Sequence, residues 1–189
     1  MYELIFVTSN PHKVREVKEI VERLAPKVNV KALNLELKER QLDSVEEIAE
    51  EAVKEAFKLL GKPVMVEDAG MFIDALNGFP GPYSSYVFKT IGNKGILRLM
   101  EGIENRKATF KSAIAFCSQE GLTLIFTGTV KGEISLEERG EGWGFDPIFI
   151  PEEGGGKTYA ELGPLKNEIS HRRRALEKLA TWLSSTLSP

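Results

Sequence analysis

The chain has 189 residues, of which 42% are hydrophobic and 28% charged, with a formal net charge of -3. That length suits one well-buried domain, the hydrophobic share argues against disorder, and the acidic balance (pI ≈ 5.6, mean hydropathy -0.19) argues against nonspecific nucleic-acid binding. The single cysteine, Cys117 in the apolar run AIAFC, excludes an internal disulfide framework and a thiolate-rich metal site.

The opening MYELIFVTSN has no basic leader, and its apolar run is shorter than a signal peptide's or a membrane span requires, so the cytoplasm is the expected compartment. Residues 2–8, YELIFVT, read as a buried strand. Asn10-Pro11 then supplies a helix cap and a proline at the first helical position, with Val14, Val17, Ile20, Val21 and Leu24 at helical spacing. A short strand near 28–33 follows. Ser44 with Glu47 forms a capping box opening a second helix, whose expected core stripe is Ile48, Ala52, Val53, Ala56, Phe57 and Leu60, ended by Gly61. PVMVED at 63–68 reads as a strand ending in two acids, which makes the first third βαβαβ.

From PGPY at 80–83 to Gly102 the pattern gives two short helices with Ile96, Leu97 and Met100 inward. KATFKSAIAFCS and GLTLIFTGTVKGEI then read as a hairpin turning at Gln119-Glu120-Gly121. A glycine-rich loop carries GWGFDP, and a last helix runs from Ser170 to Leu183 with Ala175, Leu176, Leu179 and Leu183 on one face. The order implies an α/β fold with a mixed sheet, the hairpin forming a second lobe and a cleft lying between the lobes.

PEEGGGKT at 151–158 ends like a phosphate-binding P-loop. The first glycine of that motif is here Pro151, two acids follow, and Gly-Pro in YAELGP stops any helix early. A flexible solvent loop is the better reading, with Lys157 an accessory contact at most.

Four clusters carry stronger chemistry, each with a plain structural alternative. TSNPHK places Thr8, Ser9, Asn10 and Lys13 where a strand ends and a helix begins, a place for an anion or simply an ordinary cap. VEDAG sets Glu67 and Asp68 on opposite faces of a strand, so only one can aim into a given cleft. Asp68, beside small Ala69 and Gly70, is the candidate Mg²⁺ ligand, against the alternative of an ion-paired strand end. GWGFDP offers rings flanked by glycines for a flat ligand, or a core-anchoring turn. KNEISHRRR masses cations at a helix N-terminus, where a bound anion would offset the opposed dipole, although charge runs are usually solvated faces. Together these describe a nucleoside triphosphate site working by metal-assisted water, with no nucleophilic triad in view.

TSNPHK, VEDAGMFIDALNGFPGPYSS, GWGFDPIF and KNEISHRRRAL, in that order, resemble the inosine triphosphate pyrophosphatase family over almost the whole chain. The resemblance implies one domain, 1–189, of two lobes on an elongated mixed sheet. It also implies hydrolysis of ITP, dITP and XTP to the monophosphate and pyrophosphate with Mg²⁺, in a cytoplasmic homodimer with no stable nucleic-acid or membrane partner.

Carried over by motif, Thr8, Asn10 and Lys13 hold the triphosphate, and Asp68 binds metal or positions water. Glu39, followed by Arg40-Gln41, is the second metal ligand, with Glu36 as the alternative. Phe145 and Asp146 contact the base, and Lys166, Ser170, His171 and Arg172 close over base and phosphates. Arg172 is the expected fork toward O6 of the purine, since an acceptor there distinguishes hypoxanthine from adenine. Some members carry a lysine where this chain has Ser85, leaving its phosphate contact absent or supplied by Lys54 or Lys89. A Maf-type pyrophosphatase, or a sensor that binds without cleaving, are the competing readings. Base preference separates the first, and product formation the second.

Overall fold

The computed structural model describes residues 1–38 and 40–186. One six-stranded mixed sheet runs β2-β1-β3-β4-β5-β6, built from β1 (Tyr2–Val7), β2 (Val28–Leu33), β3 (Val64–Ile73), β4 (Lys107–Cys117), β5 (Thr123–Ile134) and β6 (Phe149–Pro151). β1 lies parallel to both β2 and β3, while β3 to β6 are successively antiparallel. The parallel part follows from the two long crossover helices, α1 (Pro11–Leu24) and α2 (Val45–Leu60), and the antiparallel part from the hairpin. Beyond them come α3 (Ser84–Thr90), α4 (Gly92–Leu99), α5 (Tyr159–Leu162), α6 (Lys166–Ile169) and α7 (His171–Thr186).

Strand alternation sorts the core into three clusters. Leu4, Phe6, Met65, Ile114 and Phe116 face α1 and α7, while Ile5, Val7, Val64, Val66, Ala113 and Ala115 face α2. The far half of the hairpin builds a third cluster from Met71, Ile73, Ile96, Met100, Phe110, Ile148, Phe149 and Tyr159, the core of a second lobe. The buried stripe of α2 is Val45, Ala49, Val53 and Ala56, a turn-by-turn line that leaves Ile48 at its margin, because the helix packs through its small residues against β3 and β4.

Two details of the sheet position the cleft. β3 does not end at its acids. It runs on to Ile73, but its parallel pairing with β1 stops at Val7↔Val66, and from Glu67 onward β4 is its neighbouring strand, with a single further bridge from Phe72 to Pro80. Glu67 and Asp68 therefore sit where the sheet opens toward the start of α1. Gly128 on β5 opens the other side: a Cβ there would lie 2.1 Å from the His171 carbonyl oxygen and 2.5 Å from the Ala175 N. Only glycine lets the head of α7 rest on the sheet.

Candidate active site

The head of α1 is organised by side chains that cap it. Thr8 Oγ1 accepts from the Asn10 N–H at 3.1 Å, and Asn10 Oδ1 accepts from the N–H groups of His12 (2.9 Å) and Lys13 (3.4 Å). Lys13 then reaches across to β3, its Nζ 3.2 Å from the Glu67 carbonyl oxygen and 3.1 Å from Glu67 Oε2. A positive helix end and an ammonium thus converge on the two acids.

The acids differ because the strand turns them to opposite faces. Glu67 points to α1 and α7 and is saturated: Oε1 accepts from Ser112 Oγ at 2.7 Å and Arg172 Nε at 2.9 Å, while Oε2 takes Lys13. Burial opposes its ionisation, but Arg172 and Lys13 outweigh this and hold the carboxyl well below its usual range. Asp68 points to the α2 face, and its buried Oδ2 has no hydrogen-bond partner among the described residues. Burial pushes it up to about 6, against the pull of Lys13 and with Glu67 adding to the rise. A buried acceptor without a donor suits a cation or a water to be deprotonated. The small neighbour Gly70 leaves room for backbone rather than ligand, since a Cβ there would meet the Gly81 carbonyl oxygen at 2.3 Å.

The opposite wall is a closed set of charges around one indole. Lys166 Nζ lies 2.8 Å from Glu16 Oε1 and 2.7 Å from Asp146 Oδ2. Arg172 Nη1 pairs with Glu16 Oε2, and Trp143 Nε1 donates to Glu16 Oε1 at 2.7 Å. Lys166 Nζ and Arg172 Cζ lie 5.0 and 5.5 Å from the Trp143 ring centre. Burial works against ionising Glu16, yet Arg172 and Lys166 bring it down to about 2. Burial raises Asp146, with Lys166 opposing.

Arg172 is only 1% exposed, and its fork is committed to Glu67 and Glu16. The fork expected to reach purine O6 is thus held by two carboxylates in this structure. His171 is buried between Phe110 (centroids 4.5 Å) and Tyr159, whose hydroxyl lies 3.4 Å from Nδ1. Burial, then the Arg172 and Lys166 charges, lower its pKa well below the ordinary histidine value, so the imidazole is neutral and anchors α7. Ser170 is buried, and its Oγ accepts from the Arg173 N–H at 3.1 Å, capping that helix.

Phe145 is 4% exposed, belongs to the second-lobe core and meets Phe88 edge-on at 5.4 Å. Within GWGFDP the half-buried ring is Trp143, beside the head of α1, whereas the helical turn after Phe145 directs Phe145, Pro147 and Ile148 inward. Glu16 was missed altogether: in VREVKEI it looks like one more solvated helix acid, and only the packing of α6 and α7 onto α1 reveals its partners.

Glu39 lies outside the described residues. Glu36 is exposed between Leu35 and Leu37, which pack on the α2-side core. Lys54 pairs with Glu50 and Glu51 on its own helix, and Ser85 and Lys89 are exposed. The GGGKT segment is a folded turn rather than a loose loop. Thr158 and Glu161 form a reciprocal capping box for α5, Thr158 Oγ1 donates to the Arg139 carbonyl at 2.8 Å, and Lys157 is exposed.

A family model described as the Ham1 family matches residues 4–182, which takes in every site residue from Thr8 to Arg172. The chain belongs to the Ham1 family. Among Ham1 relatives, it is 50% identical over 188 residues to the dITP/XTP pyrophosphatase of Methanopyrus kandleri, covering 98% of each chain. It is likewise 50% identical to that of Thermococcus kodakarensis, over 97% of this chain and 98% of the relative. The Ham1 protein of Staphylococcus aureus superposes with a TM-score of 0.84 at 29% identity, covering 97% of this chain and 99% of that one. That of Coxiella burnetii gives 0.83 at 30%, covering 98% and 100%. The six-stranded mixed sheet is thus the Ham1 fold, and no described helix is long and apolar enough to cross a membrane.

Proposed function

We propose that this chain is a nucleoside triphosphate pyrophosphohydrolase that splits ITP, dITP and XTP into the monophosphate and pyrophosphate. The observation that carries this reading is the opening of the sheet after Val7↔Val66. There a capped helix end, Lys13 and the unpaired oxygen of Asp68 meet beside an indole ringed by charges. The names of the curated relatives agree with it.

The unpaired Oδ2 of Asp68 suits Mg²⁺, which takes one or two carboxylates and fills its shell with phosphate oxygens and water. Asp68 and Glu39 would hold it, and when bound it would neutralise charge on the phosphates and leaving pyrophosphate. This chain's own residues supply the rest. Thr8 and Asn10 shape the helix end that receives the phosphate chain, Lys13 and Lys166 offset its charge, and Asp68 holds or deprotonates the water attacking the α-phosphorus. Trp143 stacks on the base while Asp146, Ser170, His171 and Arg172 frame its edge. We also infer a cytoplasmic homodimer. Exposed Phe79, Tyr83, Tyr86, Phe88, Ile91 and Leu99 fall in one stretch of chain, an apolar surface a second copy would cover. Sedimentation equilibrium at twice the 21.0 kDa chain mass is the expected result.

The test of function is product analysis with ITP and Mg²⁺, ATP and GTP run alongside. IMP plus pyrophosphate from ITP, with ATP and GTP nearly untouched, is expected. IDP with orthophosphate, or tight binding without product, would overturn the reading. Trp143→Ala is expected to raise KM for ITP roughly ten- to hundredfold, the worth of one base–aromatic stack, with a smaller change in kcat. An unchanged KM would remove the indole from the base site.

A further inference from the structure

One face of the Trp143 indole is already covered. His12, second residue of α1, lies parallel to the indole with ring centroids 5.3 Å apart and an interplanar angle of 7°. Its backbone is fixed, since its N–H donates to Asn10 Oδ1, but its side chain is exposed. Arg15 steers the ring: Nη2 lies 3.1 Å from His12 Nδ1, and because guanidinium only donates, Nδ1 accepts. A purine is an imidazole fused to a pyrimidine, so a histidine laid flat on an indole reproduces the imidazole half of a stacked purine.

We propose that His12 is a placeholder: it occupies the stacking face of Trp143 in the nucleotide-free protein and is displaced by the incoming purine. The inference rests on the reading of this cleft as a purine nucleotide site. A base inserted between the two rings would need roughly twice the single-stack spacing, more than the present separation provides. Displacement needs only rotation of an exposed side chain, with loss of one stack and the Arg15 hydrogen bond, while the Asn10 cap stays in place. Because His12 covers the face of the indole and none of the groups around the base edge, it taxes every purine alike. It sets affinity and leaves selectivity to Arg172, Lys166 and Asp146.

Removing the placeholder therefore tightens binding. His12→Ala keeps the N–H that Asn10 caps and is expected to lower KM for ITP and for ATP by a common factor of about 2–10, the worth of one aromatic stack. The ITP/ATP selectivity ratio and kcat should stay the same. His12→Phe restores a stacking ring and should return KM to the wild-type value or above it.

A direct readout comes from proton NMR of the imidazoles, because the chain has only two histidines and the other, His171, is buried. The signals missing in His12→Ala identify His12. Saturation with IMP should move them out of the ring current of Trp143. Signals that stay in place while IMP saturates the protein, or a KM that rises in His12→Ala and is restored by Phe, would overturn the proposal, the latter by making His12 a support for the base. Wild-type protein that releases no IMP and pyrophosphate from ITP would overturn the underlying reading itself, an outcome separable from both.

Discussion

Asp68→Asn is expected to lower ITP turnover by about 10²–10⁴-fold and, in the same molecule, to stabilise the metal-free protein at neutral pH. Both effects come from the unpaired Oδ2. Burial raises the folded-state pKa to about 6 from 3.8, so between those values the folded protein binds more protons than the unfolded chain. Stability contributed by the protonated carboxyl is present below pH 3.8 and lost as pH rises through about 6, a loss on the order of 3 kcal/mol. Asparagine carries no charge at any pH and so avoids that loss. Thermal unfolding in EDTA should therefore show wild type and variant diverging between pH 4 and 7, with the inactive variant the more stable at the upper end. A variant retaining wild-type kcat would remove Asp68 from the reaction. Parallel melting curves across that range would show that its carboxyl is not strained in the fold.

Local pattern made the βαβαβ opening, the hairpin and the last helix legible, because each is written in period 2 or 3.6 and punctuated by caps. Asn10, Ser44 and Gly61 stand where the structure caps α1 and α2. Long-range packing hid the rest. Nothing near PVMVED indicates that β3 continues to Ile73, because its partner there is β4, some forty residues on. The two acids stand where the sheet opens because β1 is lost as a neighbour after Val66, not because the strand ends there. Phe145 and Trp143 both adjoin Gly144, and only the second-lobe core decides which one turns inward. Glu16 and Glu67 bear on the site by holding Arg172, Lys166 and Lys13. Such a role is invisible until α1, β3 and α7 are side by side.

Arg172→Ala is expected to cost about 3–5 kcal/mol of stability, a fall in Tm on the order of 10 °C for a chain of this size. The guanidinium neutralises two carboxylates at once: the Glu67 side chain is fully buried and that of Glu16 nearly so. Removing it leaves each with a single ammonium partner, Lys13 for Glu67 and Lys166, itself shared with Asp146, for Glu16. The pH dependence identifies the cause. Glu16 is held at about 2 against 4.5 in the unfolded chain, so its stabilisation is present above pH 4.5 and lost as pH falls toward 2. The gap between wild type and variant should therefore be widest at neutral pH and narrow in acid. Arg172→Met keeps much of the stem's packing without the charge and should behave like Ala if the electrostatic account holds. A gap of constant size from pH 7 to 3 would assign the loss to packing instead. The same variants examine selectivity at a temperature where they remain folded. If the fork exchanges Glu16 for purine O6 on binding, the ITP/ATP ratio collapses in Ala and Met alike. If the ratio persists, Arg172 acts only as the buried counter-ion that keeps Glu16 and Glu67 in place, and discrimination rests with Lys166 and Asp146.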